Sequence, residues 1–584
     1  MRRLAPAAIS GLVLLTYAAS LAGTFAGDDF ILVRNARNAS WSFAELARAF
    51  QWDEETITDG WLPPDFQDFR LHYFRPVVMA SLKLDLALWG ERAAGFYLSN
   101  IALYLLITLL VYRWGADFGL GARGRFLLGV LFAAWSVNQL AVNQINGRTE
   151  LVAGVFVLAS VISLGQFHRR GGSASYSLAL AAAVLALGSK ENAVMLPLFH
   201  TLAAAFLYPP EALGRDGWRR RAWAVAPFYA LIPVYFAVRS VYLDGFPVPP
   251  GGFYFHDPGE PGFLVFFLAK LAHAPLALFY QIPALVYPAI IERSPVLLAV
   301  ALVAAAATAF VVLRWMRPPF RYFFIGWLVI CLAPTATMGH NPIYYLLCAP
   351  VVVVLYVKLH EAGCKSSVRW RARAARAMIP ASIVFGVLVS TGNAIAVRAS
   401  GILPRAAAER VAAYLDAHPE VEEVFLIDVP WTCGYLVPAI RFAAERHADK
   451  AFTVLSVTAD IAGEVPSRIT AADAHTIELR PASGAYLRTG LEPIFMARPL
   501  PRFRAGMSAR DPAYTIEISE VEEAYIREEG PLLQAIREGL DAPPETQRGV
   551  LALRYRFTEP LEAPGRAFLQ LAPSGAVKLF RPEY

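Results

Sequence analysis

From the N-terminus to about Val397, apolar residues gather in runs of roughly 17–22, the length a helix needs to cross a hydrocarbon layer. The runs fall at about 4–25, 95–114, 126–142, 150–167, 175–188, 193–207, 222–243, 295–313, 322–338, 343–357 and 377–397. They predict a polytopic α-helical membrane protein of about eleven spans. The run 263–288 carries Pro275 and Pro283, and it reads as a re-entrant or surface segment rather than a further span. Past residue 399 the pattern shortens. Val424–Asp428 and Phe452–Val457 read as buried strands around a helix, which predicts a soluble α/β domain over 399–584 behind a membrane domain over 1–398. Segments 476–479, 514–518, 551–557 and 568–571 alternate as antiparallel strands do, and 405–417 reads as a helix.

The polar breaks between runs differ in charge. Arg2 and Arg3 precede the first run, and arginines recur after runs two, four, six and eight and between Lys358 and Arg376. That alternation predicts a cytoplasmic N-terminus, a retained anchor helix and a periplasmic tail, in a bacterial inner membrane. Residues 27–94 then form a long outer loop. In it, Ser42-Phe43-Ala44-Glu45 has capping-box form and opens an amphipathic helix, Pro76 starts another, and Asp53, Glu54, Glu55, Asp59, Asp65 and Asp68 lie between them. Residues 244–262, rich in Pro and Gly, form another outer loop.

Composition narrows the classes. With 56% hydrophobic and 17% charged residues, the chain is more apolar than a soluble protein of its 584-residue length. Its net charge of +6 is accounted for by loop arginines rather than by nucleic-acid binding. Cys331, Cys348, Cys364 and Cys433 lack metal-ligand spacing and imply no disulfide framework. There is no phosphate-binding P-loop and no tandem repeat of 20–50 residues in the tail.

The candidate chemistry sits at the predicted outer ends. Asp28 and Asp29 close the first run, and ionised groups at membrane depth are functional candidates. Tyr73, Arg75, Asn100, Arg148, Lys190, Glu191, Arg239 and His340 fall on the same side. A carboxylate can take a proton from an attacking hydroxyl, cations can hold a departing phosphate, and an apolar cage can take a lipid tail. Taken one by one, the same residues read as caps, local ion pairs such as Lys190 with Glu191, or snorkelling cations.

The early Asp28-Asp29, the Tyr73-x-Arg75-Pro76 in the outer loop, Asn100, Gly147-Arg148, and Ser189-Lys190-Glu191 followed by Leu196-Pro197 resemble the C-type (GT-C) glycosyltransferase superfamily over about residues 8–360. The likeness is to its protein O-mannosyltransferase branch and bacterial transmembrane relatives with tetratricopeptide repeats, here without the repeats. It implies an inverting transferase that moves a sugar from a polyprenyl-phosphate donor to a protein or glycan acceptor. Asp28 or Asp29 stands at the catalytic carboxylate. Lys190, Arg239 and Arg148 stand at positions facing the donor phosphate, and Arg75, Tyr73, Asn100, Glu191 and His340 at substrate-facing ones. Some members use a divalent metal (Mg or Mn) and others do not; the expectation here leans toward none. Where relatives have His-Pro the chain has Trp135-Ser136-Val137-Asn138, and Asn341-Pro342 replaces Glu-Arg, which leaves sugar and acceptor open. Two rival classes share the same cage: a transporter or flippase of a lipid-linked anion, and a non-catalytic membrane scaffold.

Overall fold

A computed structural model describes residues 4–52, 71–208, 214–243, 263–281, 295–316, 318–336, 342–430, 436–447, 449–458, 467–482, 485–486, 504–510, 512–522, 525–526, 546–547, 550–571 and 577–582, with Gly259 and Met338. The acidic stretch 53–68, most of 244–262, His340, Asn341 and Cys433 lie outside them.

The membrane part comprises α1 (Ala5–Tyr17, carried on by a 3-10 turn to Ala22), α2 (Asp29–Asn38), α3 (Phe43–Arg48), α4 (Pro76–Trp89), α5 (Ala93–Trp114), α6 (Ala122–Ala133), α7 (Gln139–Asn143), α8 (Arg148–Arg170), α9 (Ser173–Leu187), α10 (Leu196–Leu202), α11 (Gly214–Tyr242), α12 (Phe263–Tyr280), α13 (Pro295–Trp315), α14 (Phe320–Leu332), α15 (Ala349–Cys364) and α16 (Arg369–Ala417). Among the described residues, seven helical stretches are long and apolar enough to cross a membrane: those built on α1, α5, α8, α11, α12, α13 and α16. An eighth arises if α6 and α7, bent by 43° at their break, are one span, and three shorter apolar stretches are Ser173–Leu187, Glu191–Leu207 and Phe320–Thr335. Their outward faces expose Leu178, Trp223, Val303, Phe310 and Leu388, side chains that suit lipid and not water.

The segment expected to break at Pro275 does not: Phe263–Tyr280 is one helix with that proline inside it. A proline deletes one ladder bond, and neighbouring helices supply enough packing to hold the helix together. Val265 and Ala269 cluster with Leu298 and Ala301, and Tyr280 Oη meets Thr308 Oγ1 at 3.0 Å, so α12 and α13 run side by side in the same direction. Residues 343–357 give, instead of a full-length span, a 3-10 turn at Pro342–Tyr345 followed by the 16-residue α15.

The two ends of the bundle differ. At one, the Asp117 carboxylate pairs with Arg169 and accepts from the Tyr208 hydroxyl, and Lys358 donates to Phe118 O at 2.9 Å. At the other lie the acidic turn, the start of α8, the end of α11 and the Lys190 turn. There Ser42 caps α3 by accepting from the Glu45 N–H, while Glu45 reaches back to the Ser40 N–H instead of Ser42, a capping box displaced by two residues.

α16 runs unbroken for 49 residues, through Pro380 and Pro404, so residue 398 is no boundary in the backbone. After it come β1 (Glu423–Ile427), α17 (Leu436–Ala443), β2 (Ala451–Val454), β3 (Ser467–Asp473), β4 (Thr476–Pro481), β5 (Ser508–Arg510), β6 (Tyr514–Val521), β7 (Val550–Phe557), β8 (Arg566–Leu571) and β9 (Val577–Phe580). They form a mixed sheet, β9-β8-β1-β2, and an antiparallel one, β3-β4-β7-β6-β5. The expected α/β unit is β1–α17–β2, with β1 and β2 parallel. Phe568–Leu571, expected antiparallel, is antiparallel to β9, pairing Phe568 with Phe580, and parallel to β1, pairing Phe568 with Phe425. Alternation alone does not distinguish strand direction. Phe425, Ile427, Tyr555, Phe557 and Phe568 fill the space between the two sheets. The other face of the mixed sheet shares one core with α16, α17, α2 and α4.

Candidate functional site

The acidic turn is built by its own backbone. Gly27 takes φ +55°, a conformation that suits glycine, and turns the chain so that the Asp29 N–H donates to Ala26 O at 3.2 Å. Asp29 Oδ2 in return accepts the Ala26 N–H at 3.1 Å. The linker into α8 supplies the other partners: Asn146 donates its backbone N–H to Asp29 Oδ1 at 3.1 Å and its side-chain amide to Asp28 Oδ2 at 2.7 Å. Asp29 is 2% exposed, whereas Asp28 is half-buried. Burial pushes the Asp29 carboxyl up to about 7; the Ala26 N–H opposes the shift, and neighbouring Asp28 adds to it.

Beside this turn the cations are held in pairs. The Arg75 guanidinium grips Glu191 through Nε (3.1 and 3.2 Å) and Nη2 (2.7 Å). It also stacks over the rings of Tyr73 (4.0 Å) and Phe50 (4.6 Å). Burial opposes the charge on Arg75, but Glu191 holds its pKa above the ordinary guanidinium value. Lys190 Nζ pairs with Glu150 and lies 5.2 Å from the Tyr344 ring. Lys190 and Glu191 are thus not each other's partner: in sequence they are adjacent, but in space each reaches a different element. Arg239, 6% exposed near the end of α11, shares the surroundings of the Tyr235 hydroxyl with Glu191 and Arg75. Tyr73, stacked by Arg75, also lies within electrostatic reach of Glu191 and of Asp28.

Two expected residues face elsewhere. Arg148, 1% exposed, donates to Asn100 Oδ1 (2.5 Å), Asp85 Oδ2 (2.5 Å) and Phe96 O (3.0 Å). Asn100 donates to Gln144 O at 2.8 Å. Both lock α4, α5 and α8 together beneath the mouth, where no solvent reaches. His340 lies outside the described residues. Asn146, which the sequence places on the outer side in Asn146-Gly147-Arg148, holds both aspartates, whereas Glu150, Tyr235 and Tyr344 belong to the cluster and were not singled out from sequence. Lys190, about halfway along the largely apolar 175–207, is the signal that could have pointed to a buried carboxylate nearby.

Among the described residues no three His, Cys, Asp or Glu side chains converge in a way that could hold a metal ion.

No protein-family model matches the chain, and no curated protein matches it. Among solved structures, ArnT from Cupriavidus metallidurans bound to undecaprenyl phosphate is 13% identical with a TM-score of 0.38, covering 76% of this chain and 88% of that one. The same protein in its apo state is 16% identical with a TM-score of 0.33, covering 76% and 84%. A likeness this weak carries no argument about fold or activity.

Proposed function

We propose that the chain is a membrane glycosyltransferase of the GT-C type that moves a sugar from a polyprenyl-phosphate donor to a hydroxyl acceptor at the acidic end of the bundle. One observation carries the reading: the Asp28–Asp29 turn and the cations Arg75, Lys190 and Arg239 line one mouth, joined through Tyr73. Arg75 and Lys190, held by Glu191 and Glu150, together with Arg239 place three cationic groups where a departing phosphate would need them.

The acceptor oxygen attacks the anomeric carbon from the face opposite the phosphate. The carbon–oxygen bond to phosphate breaks with inversion, and its electron pair leaves on the lipid phosphate, which gains a charge that the cations stabilise. Half-buried Asp28 takes the acceptor proton. Buried Asp29, held by Ala26 and Asn146, fixes the turn and the local field. The bacterial inner membrane, a periplasmic mouth and a protein or glycan acceptor belong to this reading. The test is turnover of radiolabelled polyprenyl-phosphate sugars in nanodiscs, beside an Asp28→Asn/Asp29→Asn double variant of equal expression. Transfer that survives in the variant refutes the mechanism.

A further inference from the structure

The acidic turn is held from the tail as well as from the membrane bundle. Phe442, on α17, stands with its ring centroid 5.1 Å from that of Phe25 and 5.8 Å from that of Phe30, both edge-on, so it wedges between the residues that flank Gly27–Asp29. Arg37, from α2, lies over the same ring at 5.4 Å. The ring's place is set by the tail: Leu436, Val437, Ala439 and Ile440 of the same helix are buried in the core that the mixed sheet shares with α16. From the other side α16 brings Gly401, where a Cβ would fall on Thr24 Oγ1 and Phe25 O. Tyr97 of α5 completes the hold by donating to Thr24 O at 3.0 Å.

We infer that Phe442 is a positioning residue of the tail, which with Gly401 clamps the Thr24–Phe30 turn, fixes the direction of Asp28 and Asp29 and keeps water from Asp29. Edge-on aromatic pairs at these separations stabilise beyond their burial alone, which favours one conformation of the turn. The consequence for turnover rests on the transferase reading; the hold itself does not. The titratable and charged groups placed about Asp29 are Asp28 in the same turn, the Tyr97 hydroxyl from α5, and Arg37 over the Phe442 ring. α16 and α17 present the uncharged Gly401 and Phe442. Burial is the largest cause that raises the Asp29 carboxyl, so loosening the clamp admits water and lets it fall toward the ordinary carboxylate range.

The test is a pH titration of the full-length protein in nanodiscs, following the carboxyl band of carbon-13 aspartate by difference infrared spectroscopy, with Asp29→Asn as the blank. Phe442→Ala is expected to lower the Asp29 midpoint by about one pH unit or more. Phe442→Leu, which keeps apolar volume against Phe25 and Phe30, is expected to hold it near the wild type, and Gly401→Ala to lower it. A folded Phe442→Ala protein, judged by gel filtration and melting, whose midpoint stays at the wild-type value overturns the clamp. Where Phe442→Ala does not fold, Gly401→Ala decides in the same way. Turnover of a radiolabelled polyprenyl-phosphate sugar panel is measured in parallel, and the acid limb of kcat is expected to move with the infrared midpoint while KM for the donor stays. A moved midpoint with no turnover on any donor overturns the transferase reading and leaves the clamp standing.

Discussion

The Arg148–Asp85 pair decides between two readings of one arginine. Facing a donor phosphate, Arg148 would be dispensable to folding and costly to lose in activity; locked inside the bundle, the reverse. Its side chain is 2% exposed and that of Asp85 5%. Asp85 also accepts from Ser99 Oγ at 2.7 Å. Removing one partner of a buried pair leaves the other charge uncompensated and costs about 3–5 kcal/mol. For Asp85→Asn the lower figure applies, because the amide oxygen can still accept from Arg148. Replacing both, Asp85→Leu with Arg148→Met, removes the buried charge but orphans Asn100 Oδ1 and Phe96 O, a cost of about 1–3 kcal/mol. The double variant is therefore expected to be no less stable than Asp85→Asn. Unfolding in mixed micelles, titrated with SDS and followed by tryptophan fluorescence, measures it, with turnover counted per folded molecule. An Asp85→Asn protein within about 0.5 kcal/mol of the wild type, combined with an Arg148→Met protein that folds but no longer binds donor, refutes the structural role.

Arg75→Lys keeps the charge but loses the two-nitrogen grip on Glu191 and the stack over Tyr73 and Phe50; donor KM is expected to rise about tenfold with kcat less affected, read from initial rates. Asp29 sits near pH 7, above its ordinary value, so the charged form is the costly one: stability is greatest when the group is protonated and falls as pH rises from about 4 toward and past 7. Asp29→Asn should therefore melt higher than the wild type at pH 8 and differ little at pH 4, while turnover is lost; a variant that melts lower at pH 8 contradicts the burial argument. Gly386 of α16 packs so closely on the break after α6 that a Cβ would collide with the Ala134 carbonyl; Gly386→Ala is expected to cost about 1–3 kcal/mol in the same micelle titration.

Apolar run length made the helices legible, since a 20-residue hydrophobic stretch has few other ways to satisfy its backbone. Charge alternation likewise separated the Asp117–Arg169 end of the bundle from the Asp28–Lys190 end. What stayed hidden was partnership. Lys190 is adjacent to Glu191 but pairs with Glu150, forty residues earlier, because consecutive side chains leave the backbone in different directions. Glu191 goes to Arg75, across 116 residues. Arg148 sits beside an Asn-Gly turn that does face the acidic pair, yet one residue further into the helix its side chain points to Asp85. The apolar run ends at Val397 and a separate helix reads from 405, but packing of Ala408, Val411 and Leu415 into the core with Val424 and Leu436 carries one helix through Pro404.

α16 is one rod of 49 residues, about 73 Å at the helical rise, against a hydrocarbon thickness of about 30 Å. A rod that long, half in lipid and half under a sheet, makes the tilt of a membrane span and the attitude of the water-soluble domain a single mechanical coordinate. Rotating it by ten degrees about one end sweeps the other through roughly 13 Å, more than two helical turns. Gly401 lies about two-thirds of the way along it, against the Thr24 hydroxyl and the Phe25 carbonyl. Bilayer thickness, which sets such tilts, is thereby geared to the residues that flank the carboxylates.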